Sequence, residues 1–504
     1  MTDALEPEVV AKPYVLLAPL VEAEATEAIE AVDALPDQQE RRARRRKRRR
    51  VRVHHVGWSL ILVMAASLAA AIVRALIGTP LGSDAYSYLV WAREAVDNGS
   101  TGHAAYDFTV PKPLEQLVAV IGHLVGAPIG VFTWWTMLGA ASCVLAAGAL
   151  ARRVGVPSAG GIAGLFCLCL PVLWRGAPAG DSNVPYAALV VGAAAAPGGS
   201  VMRAVMIGGA GLLRPEAWGL AILNAILSWR ESDLLGRASA AVAALAPPVV
   251  WISLDRIFTG DALWSSKIVD SYGATFGTTL LKLDALPHAV VNRVGDVSTW
   301  PIAVIGVIAL GAALYRKPLD VAVVFPLALS AVIVFECATD KISKDDLGRM
   351  MTALAVFAAA GAGAGVASLA RHLRGSLAIA IVVLVPLLAS SWLAQAARDS
   401  HADGQRARDL EDWIAPALVG QDFTGKVGIL RQWQGALSLY TGLPRDRFVP
   451  EGLIEPRVDY LIARSEIDAF VLPHGKNRKR FFCVGLARST SWNLFVRGEP
   501  GQCR

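Results

Sequence analysis

Charge is scarce in this sequence. Asp, Glu, Lys and Arg make up 18% of its 504 residues, and 54% are apolar. A soluble globular domain carries about 25% charged residues, so an ordinary soluble protein of this length is excluded. Histidine is also rare, with eight in all. No two of them stand in an H-x-x-x-H spacing, so no zinc-hydrolase motif is present. The six cysteines show no metal-ligand spacing either. Cys143, Cys167, Cys169 and Cys337 fall in apolar runs and read as buried thiols. Cys483 and Cys503 lie in the polar C-terminal part, where a disulfide is open to them if that part faces an oxidising compartment. No internal repeat is visible. No cleavable signal peptide is expected, since the first apolar run starts only near Val56.

What the sequence has instead is a series of apolar runs. Several reach about 18 residues without charge, the length an α-helix needs to cross ~30 Å of hydrocarbon. The chain reads as a polytopic α-helical membrane protein with about eleven transmembrane helices. The expected spans are 56–77, 128–150, 158–174, 184–198, the short pair 201–213 and 217–229, then 238–254, 298–315, 319–337, 350–370 and 376–395. The segment 113–125 reads as an amphipathic helix lying along the interface.

Charge asymmetry orients these spans. Residues 1–40 hold ten acidic residues and one lysine, and residues 41–55 hold ten Arg or Lys. A basic block can mark a nucleic-acid or nuclear-import patch. This one abuts a span and reads as a cytoplasmic anchor at anionic lipid, with no nucleic-acid partner. The acidic segment before it reads as disordered. Orientation by this block alone places Arg152, Arg153, Arg203, Arg230, Arg237, Arg316, Lys317, Arg371 and Arg374 on the same inner side. That agreement supports a multi-pass protein of the inner or plasma membrane with its N-terminus inside. Three regions follow: a disordered tail over 1–55, a transmembrane domain over 56–395 and an extracytoplasmic α/β domain over 396–504. In the last, "KVGIL", "DAFVL" and "WNLFVR" are strand-like, and "QGALSLYTG" reads as a short helix ending in Gly.

The ionisable residues near the membrane gather at the outer ends of the spans: Asp84, Lys112, Asp181, Arg214, Glu216, Asp261, Lys267, Asp345, Asp346 and Arg349. Such groups are costly at membrane depth and usually functional. Carboxylates beside guanidinium groups suit the transfer of a group from a lipid phosphate to a hydroxyl, with the acid as base and the cations on the phosphate.

The order of the motifs resembles the GT-C superfamily of membrane glycosyltransferases, of the protein mannosyltransferase and lipid A aminoarabinose transferase type. The resemblance rests on "GSDAYSY" (82–88), "PKPL" (111–114), "GDSNVPY" (180–186), "LLRPEAW" (212–218), "FTGDALWSS" (258–266) and "LGRMMTAL" (347–354). It covers most of residues 56–395. It implies an inverting hexosyl- or pentosyltransferase that takes a sugar from a polyprenyl-phosphate donor to a glycan, lipid or protein acceptor. Asp84 matches the first-loop aspartate and would be the base; read locally, it caps the following helix. A second acid often stands beside that aspartate in the family, but here the neighbour is Ala85, so any second carboxylate must come from elsewhere, Asp181 being one candidate. Arg214 would face the donor phosphate, or pair with Glu216. Arg349 would hold the phosphate, or snorkel to the interface. Lys112 and Lys267 would hold the phosphate, or be solvated loop lysines. Asp181, Asn183 and Glu216 would bind the sugar or acceptor; the first two could instead form an Asx turn. Tyr86, Tyr88, Trp174, Trp218 and Trp264 form an aromatic belt, or stack on the sugar. No cofactor is implied. A divalent metal is used by some relatives, with Asp84 and Asp181 as its conceivable ligands, but none is indicated. Two other readings stand beside this one, a flippase or transporter of lipid-linked saccharide and a non-catalytic glycan-binding scaffold. The transporter is disfavoured because the span centres are nearly free of charge.

Overall fold

The computed structural model describes residues 81–98, 112–229, 232–268, 281–316, 320–339, 344–372, 375–419, 427–429, 433–443, 447–450, 460–464, 484–488 and 492–496, with single positions 64, 68, 72 and 342. The chain divides into two compact units, Met1–Ala65 and Ala66–Arg504, and every element below belongs to the second. The acidic and basic tail, the 56–77 span, "DAFVL", Cys483 and Cys503 fall outside the described residues or, for the span, almost wholly so.

Among the described residues, sixteen α-helical segments and five strands position the site. α1 is Ser83–Asn98, α2 Pro113–Leu124, α3 Pro128–Val154, α4 Ala159–Leu168, α5 Pro171–Gly176, α6 Asn183–Ala195, α7 Val201–Gly211 and α8 Glu216–Ser228. α9 is Leu234–Thr259, α10 Leu286–Val297, α11 Trp300–Arg316, α12 Val321–Ala338, α13 Lys344–His372 and α14 Gly375–Asp409. A π-helical turn, Leu410–Ile414, carries α14 into the short Ala415–Val419 helix. β1 Val427–Ile429 is followed by α15, Gln434–Thr441, and then by β2 Phe448–Pro450, β3 Tyr460–Arg464, β4 Val484–Arg488 and β5 Trp492–Val496.

Five described helices are long and apolar enough to cross a membrane, or six if the pair α10–α11, bent by 111°, counts as one. The expected 56–77 span lies almost wholly outside the described residues, and several of the other expected runs hold shorter helices. The 158–174 run is broken at Pro171 into α4 and α5, and α4, α6, α7 and α8 are 10–13 residues long. At 1.5 Å per residue such helices cover only about 15–20 Å. The break between α7 and α8 falls where the sequence indicates it, ahead of Pro215. The bend between α10 and α11 passes through Thr299, whose φ of 60° is unusual for a β-branched residue.

α13 packs against α3, α4, α6 and α11. Its alanine- and glycine-rich middle allows this, because small residues let helix backbones approach closely. A Cβ at Gly363 would come within 2.5 Å of the Ala163 backbone nitrogen. The bundle has two polar ends. At one, Arg153 pairs with Asp320 at 3.1 Å and donates to the carbonyl of Ala196 at 3.1 Å. The other carries the acidic and basic residues described below.

α14 does not stop at residue 395 but continues through a polar stretch. Arg406 pairs with Asp403 at 2.6 Å, and Gln395 donates to Asp399 at 2.6 Å. Pairs three and four residues apart support a helix without apolar packing. Beyond it lies a five-stranded sheet in the order β2-β1-β3-β5-β4. β1 is parallel to β2 and β3, and β5 is antiparallel to β3 and β4. The strand expected in "KVGIL", the strand expected in "WNLFVR" and the helix expected in "QGALSLYTG" are present as β1, β5 and α15, with Gly442 at φ 71° ending the helix. A second hydrophobic core joins this region to the bundle. Tyr86, Leu89 and Phe132 pack with Leu410, Ile414, Leu437 and Phe448.

Candidate active site

Asp84 lies in the first turn of α1, where the unpaired N–H groups of a helix favour negative charge. The helix starts at Ser83, so Asp84 lies inside it rather than ahead of it as a cap. Its Oδ2 is 3.4 Å from Arg349 Nη1 and 3.9 Å from Lys112 Nζ. The three residues come from distant parts of the chain, and the two cations flank one carboxylate. Asp84 is 40% and Arg349 45% exposed at the side chain, so this pair is open to solvent; Lys112 is only 13% exposed. Arg349 is also 3.9 Å from Asp346, one turn earlier in α13.

Lys112 owes its place to Pro113. A residue before proline is pushed out of the helical region, and Lys112 is extended (φ −119°, ψ 103°) with proline opening α2. Its ammonium donates to Ser182 Oγ at 2.5 Å and lies 5.9 Å from the centre of the Tyr88 ring. Tyr88 is buried and stacks on Phe132.

The turn at 177–182 closes beneath α1. Gly82 N–H donates to the Ala179 carbonyl at 2.6 Å. Gly180 has φ 69°, and a Cβ there would sit 3.0 Å from those of Ala85 and Leu81's Cδ2, so position 180 needs glycine twice over. Asp181 Oδ1 accepts from the Asn183 backbone N–H at 3.0 Å and its side-chain amide at 2.5 Å. This is the Asx arrangement. Asn183 Oδ1 is buried without a hydrogen-bond partner among the described residues.

Arg214 stands at the α7–α8 break, tied to α2 by the Leu114 N–H bond to the Leu212 carbonyl at 3.3 Å. It pairs with Glu216 at 2.9 Å and lies 5.8 Å from the Tyr186 ring centre. These three residues, with Leu329, Val332 and Ile333 of α12 and Met350 of α13, line a small, half-open hollow. Arg214 Nε, Glu216 Oε2 and Tyr186 Oη are buried there without partners among the described residues. Met350 follows Arg349 directly, so the hollow adjoins the Asp84 cluster.

Three expected site residues are engaged elsewhere. Trp218 donates to the Gly211 carbonyl at 3.0 Å and meets Trp251 edge to face, so it packs between helices. Tyr86 is fully buried, and its hydroxyl bonds that of Tyr440 at 2.7 Å. Lys267 pairs with Asp261 and is 63% exposed. The side chain of Asp345 lies outside the description. Cys143, Cys167, Cys169 and Cys337 are buried free thiols. Among the described residues, no group of three or more His, Cys, Asp or Glu side chains is placed to hold a metal.

The sequence reading missed two residues, Ser182 and Glu115. Glu115 is 1% exposed and lies 3.8 Å from Lys112 Nζ. Burial outweighs the attraction of Lys112 and Arg214, the charges of Asp84 and Asp181 add to it, and the carboxyl is raised to about 8. The signal was available in outline. Leu117, Ile121 and Leu124 are exposed on one face of α2, while Glu115, Gln116, Val118, Ala119 and Gly122 are buried on the other. A lone acid on the inward face of an apolar helix is a group with a partner to find.

No family model matches the chain, and no curated protein does. Among solved structures, it is similar to ArnT from Cupriavidus metallidurans bound to undecaprenyl phosphate. The TM-score is 0.53 at 16% identity, covering 87% of this chain and 98% of that one. The apo state of the same protein gives a TM-score of 0.50 at 16% identity, covering 88% and 98%. The chain shares the fold of these structures. Its long apolar helices make it a multi-pass membrane protein. Within this fold, Asp84, Lys112, Glu115, Asp181, Arg214 and Arg349 form one electrostatic cluster at one end of the bundle.

Proposed function

We propose that this protein is an inverting membrane glycosyltransferase that moves a sugar from a polyprenyl-phosphate donor to an acceptor hydroxyl at the extracytoplasmic face. The observation that carries the reading is the Asp84 carboxylate held between Arg349 and Lys112 at 3.4 and 3.9 Å. The fold adds support, since the similar ArnT structure is bound to undecaprenyl phosphate. The basic residues near the opposite end of the bundle, Arg152 and Arg153 among them, favour that end as cytoplasmic.

In this reading Arg349 and Lys112 take the donor phosphate, which displaces part of their pairing with Asp84. Asp84 then accepts the proton of the acceptor hydroxyl as its oxygen attacks the anomeric carbon. The bond from that carbon to the phosphate oxygen breaks, and the electron pair leaves with the polyprenyl phosphate. Attack opposite the leaving group inverts the configuration. The two cations stabilise the charge that grows on the leaving phosphate. Arg214, paired with Glu216, adds positive charge from the adjoining hollow, whose unpartnered polar atoms suit sugar hydroxyls. Asp181 and Asn183 hold the turn under α1, Tyr88 supports Lys112, and Trp218, Tyr86 and Lys267 take no direct part.

The test is in cells. Deleting the protein is expected to accumulate one polyprenyl-phosphate sugar and deplete one surface glycan. Wild type restores both; Asp84→Asn, present at equal amount in the membrane, restores neither. A scaffold role predicts that Asp84→Asn restores both, and that outcome contradicts the proposal.

A further inference from the structure

Glu115 is the only Asp, Glu, Lys or Arg within α2. Its Oε2 is 3.8 Å from Lys112 Nζ, and its Oε1 is buried with no hydrogen-bond partner among the described residues. A carboxylate in that setting is costly as an anion, because one oxygen has lost water and gained nothing. Four charged groups face it: Lys112 at the head of its own helix, Asp84 from α1, Asp181 from the turn at 177–182 and Arg214 from the α7–α8 break. Lys112 is shared three ways, by Glu115, Ser182 and Asp84.

Building on the polyprenyl-phosphate reading above, we propose that Glu115 is a positioning residue whose proton governs Lys112. Protonated, it leaves the ammonium to Asp84 and the incoming phosphate; ionised, it draws the ammonium back and sets a further negative charge beside the phosphate. Only an O–H bond is made or broken, and the proton exchanges with solvent. A phosphate arriving near Glu115 makes its anion costlier still, so phosphate binding and protonation of Glu115 reinforce each other.

The experiment is binding of polyprenyl phosphate to the purified full-length protein in detergent between pH 7 and 9.5. A monoester phosphate, with its second ionisation near about 6, keeps constant charge over that range. The affinity is expected to be level below about 8, where the carboxyl holds its proton. Above that it falls, by up to about tenfold per pH unit. Glu115→Gln, neutral throughout, is expected to bind at the low-pH affinity across the range. Glu115→Asp keeps the fall but moves its midpoint, and it serves where the Gln variant cannot be recovered folded. A level wild-type curve overturns the proposal, and so does a Gln variant that retains the fall. Absence of binding at every pH overturns the proposal together with the function it rests on, so the two failures are distinguishable. A merely structural Glu115 changes yield and melting but leaves the shape of the binding curve alone.

Discussion

Lys112, Arg349 and Asp84 have unequal freedom. Lys112 is fixed by Ser182, Glu115 and the Tyr88 ring, whereas Arg349 is nearly half exposed. Arg349, the more exposed of the two cations, has more room to move toward a phosphate, and Lys112 is already in place for one. Replacing either by Ala is expected to lower turnover about 10²–10³-fold, the loss typical of one donor to developing charge. Lys112→Arg is not conservative, because the planar guanidinium does not fit between Ser182 and Glu115 as a point charge does. Both effects are read as kcat and KM on a lipid-linked donor. Glu115 also makes a stability prediction. Its folded pKa is raised, so the protonated carboxyl stabilises the fold fully below the unfolded value. That contribution is lost as pH rises toward about 8, at about 1.4 kcal/mol per unit between the two values. Thermal melting in detergent tests this: Glu115→Gln is expected to gain on wild type as pH rises toward 8 and then to hold a constant lead. A lead that does not depend on pH contradicts it.

At the scale of elements, α1 is held by the C-terminal region as much as by the bundle. A Cβ at Gly435 of α15 would lie 2.7 Å from that of Tyr86, and Arg93 donates to the Ser438 carbonyl at 2.8 Å. Gly435→Val is expected to push α15 off α1 and misplace Asp84, lowering activity at least about tenfold, since misplacement near 1 Å costs up to about 10²-fold. Faster hydrogen exchange across 83–98 checks the cause. Trp218 separates two accounts of the aromatic residues. Packed on Trp251, it predicts that Trp218→Phe keeps turnover and loses about 1 kcal/mol of stability with one hydrogen bond; a sugar-stacking residue would lose turnover instead. The same elements mark how far the sequence could be read. The break before Pro215 and the glycine ending α15 are punctuation visible in one dimension, whereas 158–174 was read through Pro171 as a single span. The continuation of α14 past residue 395 was not legible, because polarity there reads as exposure while the i,i+3 and i,i+4 pairs keep the helix going. The shortness of α4 and α6 was hidden too, since hydropathy marks apolar runs and not where a helix ends inside one, whereas the short pair α7 and α8 was legible at its polar break.

For the whole molecule, the alternation of helices carries residues 265 positions apart, Asp84 and Arg349, to one polar end. The sequence placed them on the same side through topology alone, and no spacing could bring them to 3.4 Å. Glu115 stayed hidden for the complementary reason. Its importance lies in what α1, the 177–182 turn and the α7–α8 break place around it, and none of that is local to α2. The central claim is that Asp84 works as a base between two phosphate-binding cations, and a reconstituted assay tests it most directly. Purified wild type and Asp84→Asn are given a polyprenyl-phosphate sugar and acceptor in lipid nanodiscs, and released polyprenyl phosphate is counted. The account predicts that Asp84→Asn binds the donor at least as tightly, having freed Arg349 and Lys112, and turns over about 10²–10⁴-fold more slowly. Turnover by Asp84→Asn at the wild-type rate would contradict it.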